Sequence, residues 1–287
     1  MRIGVVLPQT EIGADPGAVR AYGAAVSEQG YAHIAAYDHV LGADPKVHQG
    51  WDGPYNVHTT FHEPMVLFGF LAALTLLELV TSILILPQRQ TALVAKQAAE
   101  IDLLTGGKLR LGVGLGWNRV EYEALGTDFS NRGARIGEQV ALMRRLWTEE
   151  SVTFTGEHET VTGAGIAPLP VQRPIPVWFG ARAKVALRRA GAVADGWFPQ
   201  VQPGPDLAEA MATVHGAARE AGRDPALIGM EGRVNVGGED PESTAERVAA
   251  WREAGATHVS LNTMGAGLAS IEDHISALGV AAAAVGL

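Results

Sequence analysis

The sequence predicts a (β/α)8 barrel, in which parallel strands alternate with helices and close into a ring. Two observations carry this prediction. Short apolar segments rich in Val and Ile alternate with segments of helical spacing along the whole chain, which gives about eight strand candidates. The length of 287 residues is also close to the ~250 residues of one such barrel. A doubly wound open sheet is the alternative fold.

The predicted elements follow one another in the order that a barrel requires. Strands are expected at residues 3–8, 33–40, 79–86, 108–114, 177–180, 193–198, 228–236 and 258–261. Helices are expected at residues 18–31, 63–77, 91–104, 133–148, 183–190, 205–221, 242–254 and 271–284. Residues 151–163 have the pattern of a hairpin inserted after the fourth strand. No linker divides the chain, so residues 1–287 are expected to form a single barrel domain.

Residues 64–87 form the most apolar segment of the chain, with Glu78 as its one charged residue. A membrane-spanning helix needs about 20 consecutive apolar residues. This segment changes character at Glu78, from helix-forming Leu, Ala, Met and Phe to β-branched Val, Thr and Ile. It therefore predicts a buried helix followed by a barrel strand, and not a membrane span. A dimer interface is one location for this helix.

The composition excludes several classes of protein. A net charge of −9 argues against a general nucleic-acid or membrane-surface binder, because both need a positive face. The absence of cysteine excludes disulfides and thiolate nucleophiles and is compatible with a reducing compartment. The first residues lack the apolar run of a signal peptide, so a cytoplasmic protein is expected.

The positive charge is concentrated in one part of the chain. No acidic residue occurs between Glu159 and Asp195, a segment that contains five cations. Within it, a strand ending at Gly180 leads into a helix whose start carries Arg182 and Lys184. Free backbone N–H groups at a helix start, with cations beside them, favour a phosphate site. A solvated basic helix face is the alternative.

Polar side chains are expected where the second strand ends, at Asp38 and His39. Active sites of such barrels lie at the C-terminal ends of the strands, and a histidine there is suited to proton transfer near neutral pH. A histidine that only holds a loop is the alternative. Together with Asp38 and His39, the nearby histidines also allow a metal-dependent hydrolase as a weaker hypothesis; they are His48, His58 and His62.

Three glycines, Gly112, Gly114 and Gly116, are spaced two residues apart and so lie on one face of a predicted strand. A strand face without side chains allows a ligand to approach the backbone, or allows tight packing within the barrel. The spacing differs from the G-x-G-x-x-G dinucleotide motif.

These features occur within longer stretches that resemble one family. The stretches are AYDHV at 36–40, VTSILILPQRQTALVAKQAAEIDLLTGGKLRLGVGLGWNRVEYEALG at 80–126, RGARIGEQVALMRRLWTEE at 132–150, PLPVQRPIPVWFGA at 168–181 and RRAGAVADGWFP at 188–199. They resemble the luciferase-like monooxygenases, in particular the bacterial oxidoreductases that use the deazaflavin coenzyme F420. The resemblance implies a barrel with an insertion, a homodimer, and a deazaflavin or flavin lying across the strand ends.

The resemblance also implies roles for individual residues. It implies a bulged third strand with a cis peptide bond between Ser82 and Ile83, and a catalytic role for His39 beside the cofactor ring. The implied cofactor contacts are Asp38, Thr81, Ser82, Ile83, Asn118, Glu121, Gly180, Ala181 and Arg182. The sugar-phosphate dehydrogenases of this group have a catalytic Glu where this chain has Trp117, which cannot transfer a proton.

The predicted function is a coenzyme F420-dependent oxidoreductase that transfers hydride between the deazaflavin and an unidentified small organic substrate. Trp51, Tyr55 and Trp117 are expected to form the wall of the substrate pocket. The main alternative is an FMN-dependent monooxygenase that uses O2 and reduced flavin from a partner reductase. A barrel that binds the cofactor without catalysis is a further alternative.

Overall fold

The computed structural model describes residues 1–237 and 240–287. Its strands are β1 (Arg2–Val6), β2 (His33–Ala36), β3 (Glu78–Thr81), β4 (Leu84–Ile85), β5 (Leu109–Gly114), β6 (Val152–Thr155), β7 (Thr160–Ala164), β8 (Val177–Ala181), β9 (Gly196–Pro199), β10 (Gly229–Asn235) and β11 (His258–Asn262). Its α-helices are α1 (Pro16–Glu28), α2 (Pro64–Leu71), α3 (Thr91–Leu104), α4 (Arg119–Ala124), α5 (Arg132–Thr148), α6 (Lys184–Val193), α7 (Pro205–Glu220), α8 (Pro241–Glu253) and α9 (Ile271–Val285).

The parallel strands close into a barrel. The order around it is β1, β2, β3, β5, β8, β9, β10 and β11, and β11 returns to pair with β1. The short strand β4 continues β3 and pairs with β5. The predicted (β/α)8 barrel is therefore confirmed, and the open sheet is wrong because the first and last strands are hydrogen-bonded to each other.

The predicted insertion is also present. Strands β6 and β7 form an antiparallel hairpin between α5 and β8, outside the barrel. Helix α4 was not predicted. It is short, and its start depends on the Asn118 side chain, which accepts hydrogen bonds from the backbone N–H groups of Val120 and Glu121.

The apolar segment divides as expected, but its elements are shorter. Helix α2 begins under a cap from Glu63, whose carboxylate accepts the Val66 N–H at 2.7 Å, and it ends at Leu71 and not at residue 77. The predicted strand 79–86 is interrupted between β3 and β4, where the Ser82–Ile83 peptide bond is cis. Within the described residues, no helix is long and apolar enough to cross a membrane.

The second strand is likewise shorter than the predicted 33–40. It ends at Ala36 because both backbone groups of Tyr37 bond to the side chain of Gln9, at 3.0 and 2.9 Å, instead of to a neighbouring strand. Asp38 and His39 follow this contact and lie at the C-terminal end of the barrel.

The barrel interior is apolar in its middle and charged towards the N-terminal ends of its strands. Arg110, which is buried, forms ion pairs with Glu231 and with Glu78. Glu231 also bonds His33 at 3.0 Å and accepts the hydroxyl of Ser260. Burial alone would raise the pKa of Glu231, but the charges of Arg110 and His33 bring it well below its usual range. The sequence analysis did not predict this network.

Candidate active site

A cavity of 590 Å³ lies at the C-terminal ends of the barrel strands. Most of the residues predicted for the site border it: Asp38, His39, Tyr55, Ser82, Ile83, Trp117, Gly180, Ala181 and Arg182. Thr81, Asn118, Glu121 and Trp51 do not border the cavity and lie behind those that do. The structure therefore brings the predicted residues together in two layers, one facing the cavity and one supporting it.

The interrupted third strand forms one wall of the cavity. The Ser82 N–H bonds the Ala36 carbonyl at 2.8 Å, and the hydroxyl of Thr81 donates to the Gly112 carbonyl at 2.7 Å. Ile83 projects between β5 and β8, against Gly114 and Gly180. Thr81 thus fixes the strand from behind, while Ser82 and Ile83 face the cavity.

The spaced glycines of β5 and the following turn are explained by packing against this wall. A side chain at Gly112 would overlap the Thr81 carbonyl oxygen, and one at Gly114 would overlap Ile83. Gly116 has φ +64°, a conformation that favours glycine, and it lies against Ile85. Of the two explanations that the sequence left open, the contacts favour tight packing within the barrel.

Asp38 connects this wall to the helices outside it. Its carboxylate accepts the Ile85 N–H at 2.9 Å and pairs with Arg89 at 2.7 Å, and Arg89 also pairs with Glu63 at 2.8 Å. Burial raises the pKa of Asp38, and the Arg89 guanidinium opposes that effect. The negative charge of Asp38 is therefore largely neutralised by a cation behind the cavity.

Glu121 is fully buried beneath the segment that carries His39. One carboxylate oxygen accepts the N–H groups of Val40 and Leu41, and the other accepts Gln88 at 3.1 Å and lies 3.6 Å from His39 Nδ1. Burial tends to raise the pKa of Glu121, but these partners lower it overall. The carboxylate is thus held ionised beside His39 Nδ1, and among the described residues no hydrogen bond reaches His39 Nε2.

The imidazole of His39 is surrounded by aromatic rings. Its ring centroid is 4.7 Å from that of Tyr55, 4.8 Å from that of Phe61 and 5.6 Å from that of Trp117. Trp51 packs behind Trp117, at 5.6 Å. The three aromatic residues predicted for the pocket are therefore adjacent, and Phe61 joins them without having been predicted.

The aromatic residues other than Trp117 belong to a loop, residues 42–61, that is closed at its neck. The Val57 N–H donates to the Ala43 carbonyl at 3.0 Å, and the Trp51 indole N–H donates to the Tyr55 carbonyl at 2.9 Å. At the start of the loop, the Asn118 amide donates to the Leu41 carbonyl. The aromatic wall thus belongs to a loop that is stabilised by hydrogen bonds between its own residues.

The opposite side of the cavity is basic. Gly180, Ala181 and Arg182 lead from β8 into α6, whose first N–H groups have no side-chain cap. Lys184, in the first turn, is exposed. Arg188 pairs instead with Glu220 at 2.6 Å, away from the cavity. Within the basic segment, Arg182 at the start of α6 therefore borders the cavity, where the sequence predicts an anion site.

Several cavity residues were not predicted, including Tyr37, Phe198 and Arg233. Tyr37 belongs to the quoted stretch AYDHV and directly precedes Asp38, but no role was assigned to it. Arg233 lies on β10, in the last third of the chain, where the sequence resemblance was loose. Its one signal was a cation within the predicted strand 228–236.

The histidines of the metal-site hypothesis are not gathered into one cluster. His62 bonds the Gly13 carbonyl at 3.0 Å, and His48 packs near Trp51. Over the parts of the chain that the structure describes, no three His, Cys, Asp or Glu side chains are placed to share a metal ion.

A parallel barrel with a cavity at the C-terminal ends of its strands is the arrangement of (β/α)8 enzymes. The model of the luciferase-like monooxygenase family matches residues 1–282. The chain belongs to this family, as its sequence motifs predicted.

Known proteins similar to this chain include an uncharacterized protein of Mycobacterium tuberculosis, 39% identical over 164 residues, or 57% of this chain and 56% of that protein. An F420-dependent glucose-6-phosphate dehydrogenase of Gordonia bronchialis is 33% identical over 167 residues, or 56% of this chain and 49% of that protein. The chain thus aligns with about half the length of these relatives. The solved structure of an F420-dependent secondary alcohol dehydrogenase, in complex with an F420–acetone adduct, has a TM-score of 0.79 at 18% identity, over 99% of this chain and 98% of that one.

Proposed function

We propose that this chain is a coenzyme F420-dependent oxidoreductase that transfers hydride between the deazaflavin and a small organic substrate. The observation that carries the proposal is one cavity bordered by His39, by the Ser82–Ile83 wall and by the basic start of α6. Relatives that are named F420-dependent support the choice of cofactor. We further propose that residues 1–287 form one barrel domain that works in the cytoplasm.

The residues that border the cavity fit a deazaflavin. Ile83, Ile85 and Leu115 offer an apolar surface to a flat ring. The uncapped start of α6 with Arg182 fits the phosphate of the cofactor's side chain. In this proposal Thr81, Asn118 and Glu121 act from behind, by fixing the residues that make contact.

A bound deazaflavin supplies hydride transfer at its central ring. His39 then gives or takes the proton that accompanies the hydride at the substrate, through Nε2, since Nδ1 faces Glu121. The rings of Tyr55, Phe61 and Trp117 pack around the imidazole and limit its contact with solvent, so that its side chain is 10% exposed. No carboxylate stands at position 117, so we do not expect the sugar-phosphate chemistry that uses a glutamate there.

The second candidate is an FMN-dependent monooxygenase that receives reduced flavin from a partner reductase. The observation that favours it is the family match itself, because the family is named for luciferase-like monooxygenases. Both candidates use the same cavity, and they differ in the cofactor that binds.

Cofactor titration followed by fluorescence distinguishes the two candidates. We expect F420 to bind more tightly than FMN, and Arg182→Met to weaken F420 binding by about tenfold, since a charge-assisted contact to phosphate is lost. Arg188→Met is the matched control: it removes a cation four residues into α6 that pairs with Glu220, and it should leave binding unchanged. Tight FMN binding without measurable F420 affinity would refute the first candidate. Stoichiometric zinc or manganese in the purified protein would favour the hydrolase.

We also propose that the protein is a homodimer that associates through α2, α3 and the turn after α2. Large apolar side chains are exposed there: Val66 (73% exposed), Leu76 (80%), Leu93 and Leu104. Helices α2 and α3 pack on each other, so these side chains occupy one region of the surface.

Leu76→Glu should shift the protein from dimer to monomer in size-exclusion chromatography with light scattering, because it places a charge in an apolar interface. Leu227→Glu is the control, since Leu227 is 78% exposed but belongs to the turn before β10. A wild-type monomer, or two variants with the same mass as a dimeric wild type, would contradict this interface.

A further inference from the structure

The cavity contains a second cation that the proposed cofactor site does not use. Arg233 projects from β10, and its guanidinium donates to the hydroxyl of Tyr37 at 3.0 Å. Among residues 1–237 and 240–287, no carboxylate forms an ion pair with Arg233. Its remaining N–H groups are therefore free to bind an anion that enters the cavity.

Tyr37 is held in place for a role beside Arg233. Both of its backbone groups bond to Gln9, and its side chain borders the cavity. Burial raises the pKa of Tyr37, although the Arg233 charge opposes that effect, so the phenol is neutral at physiological pH. Because its oxygen accepts from Arg233, its own proton remains available for a second acceptor.

Tyr55 contacts His39 and borders the same cavity as Tyr37 and Arg233. Its ring packs edge-on against the imidazole, with 4.7 Å between centroids. Burial raises the pKa of Tyr55, so its phenol is neutral at physiological pH. Within the described part of the chain, that hydroxyl has no hydrogen-bond partner. Its proton is therefore available to a ligand in the cavity that also reaches Arg233.

The charges around the cavity leave Arg233 without compensation. Asp38 is the one carboxylate among the described residues that border the cavity, and Arg89 already pairs with it. Arg182 directly follows β8, beside the start of α6, and β9 lies between β8 and β10 in the barrel. Two separate cationic points thus face one cavity in a protein whose net charge is −9.

We propose that Arg233, Tyr37 and Tyr55 bind the carboxylate of a small organic acid, whose apolar body lies along the aromatic wall towards His39. This assignment rests on the proposed function, in which the start of α6 takes the phosphate of the cofactor. The guanidinium supplies the charge, the two phenols supply further donors, and the rings of Tyr55 and Trp117 cover the apolar part of the substrate.

Benzoate and benzamide test the proposal, because they have the same shape and differ in charge. Each is titrated into the F420-loaded enzyme and into the cofactor-free enzyme, and binding is followed by the fluorescence of Trp51 and Trp117. We expect the wild type to bind benzoate at least tenfold more tightly than benzamide. A wild type with no preference for benzoate, including one that binds neither compound, overturns the proposal.

Variants assign the preference to its residues. Arg233→Met should remove the preference for benzoate, and Arg233→Lys should retain part of it, because lysine keeps the charge and loses the planar donor fork. Tyr37→Phe should weaken benzoate binding several-fold. Arg182→Met is the control, which should weaken F420 and leave benzoate binding unchanged. Benzoate binding that survives in both Arg233 variants, or that is lost in Arg182→Met alone, overturns the assignment.

The two proposals fail in different ways. If Arg233→Met weakens F420 binding as strongly as Arg182→Met does, Arg233 belongs to the cofactor site, and the inference fails while the proposed function stands. If F420 does not bind, but benzoate binding in the cofactor-free enzyme depends on Arg233, the proposed function fails while the inference stands.

Discussion

Arg110→Met should lower the free energy of unfolding by about 3–5 kcal/mol, because it leaves the buried carboxylate of Glu231 without its arginine partner. Arg110 pairs with Glu231 and Glu78, and its guanidinium lies 4.3 Å from the ring of Trp178. Urea unfolding followed by circular dichroism measures the change. Arg2→Met is the matched control. Arg2 pairs with the same Glu78, at 3.4 Å, but its side chain is 50% exposed, so a cost below about 1 kcal/mol is expected.

The pH dependence of this effect has a defined sign. The pKa of Glu231 is lower in the folded than in the unfolded protein, so its contribution is complete above about pH 4.3 and is lost as the pH falls further. The difference in stability between wild type and Arg110→Met should therefore shrink in acid. Equal costs for Arg110→Met and Arg2→Met, or a difference that grows in acid, would contradict the described network.

His39→Asn should lower turnover by about 10²–10⁴-fold and leave the affinity for F420 within a few-fold of the wild type. The expectation rests on the position of His39 at the cavity, where its side chain is 10% exposed and packs against Tyr55 and Trp117. Single-turnover absorbance of the deazaflavin, with whichever substrate the wild type converts, measures the rate. Unchanged turnover would reduce His39 to a packing residue.

Glu121→Gln tests whether the negative charge of Glu121 assists His39, apart from the backbone bonds that Glu121 makes. The glutamine oxygen can still accept the Val40 and Leu41 N–H groups, but the negative charge near His39 is removed. We expect turnover to fall by about tenfold while F420 affinity is retained, since the imidazole loses the negative charge that faces Nδ1. An unchanged rate would show that this charge is not needed, and a loss of F420 affinity would indicate a structural role only.

The fold was predictable from the sequence because its signals are local. The alternation of Val- and Ile-rich segments with helical spacing identifies every barrel strand, and α3 begins and ends where its pattern does. The errors occur where a tertiary contact determines the beginning or end of an element. Gln9 ends β2 early, and the cap of α4 depends on Asn118, whose environment periodicity does not report.

The sequence predicts the site residues that belong to motifs, but it does not predict contacts between residues that are far apart in the chain. Asp38, His39, Ser82 and Ile83 lie at strand ends, which the sequence marks. The sequence could not show that Glu121 reaches under His39 across 82 positions, nor that Arg233 meets Tyr37. Such pairs are brought together by closure of the barrel, and no short-range pattern records them.

The closed neck of loop 42–61 fixes the ends of the loop on the barrel independently of the residues at its tip. The neck bond from Val57 to Ala43 and the Glu121 bonds to Val40 and Leu41 fix where the loop leaves and rejoins the barrel. Residues 44–54 lie beyond these fixed points, so changes there leave the ends of the loop attached to the barrel. Under the proposed function, grafting this part of the loop from a relative should alter which substrates bind without moving the residues that would hold the cofactor.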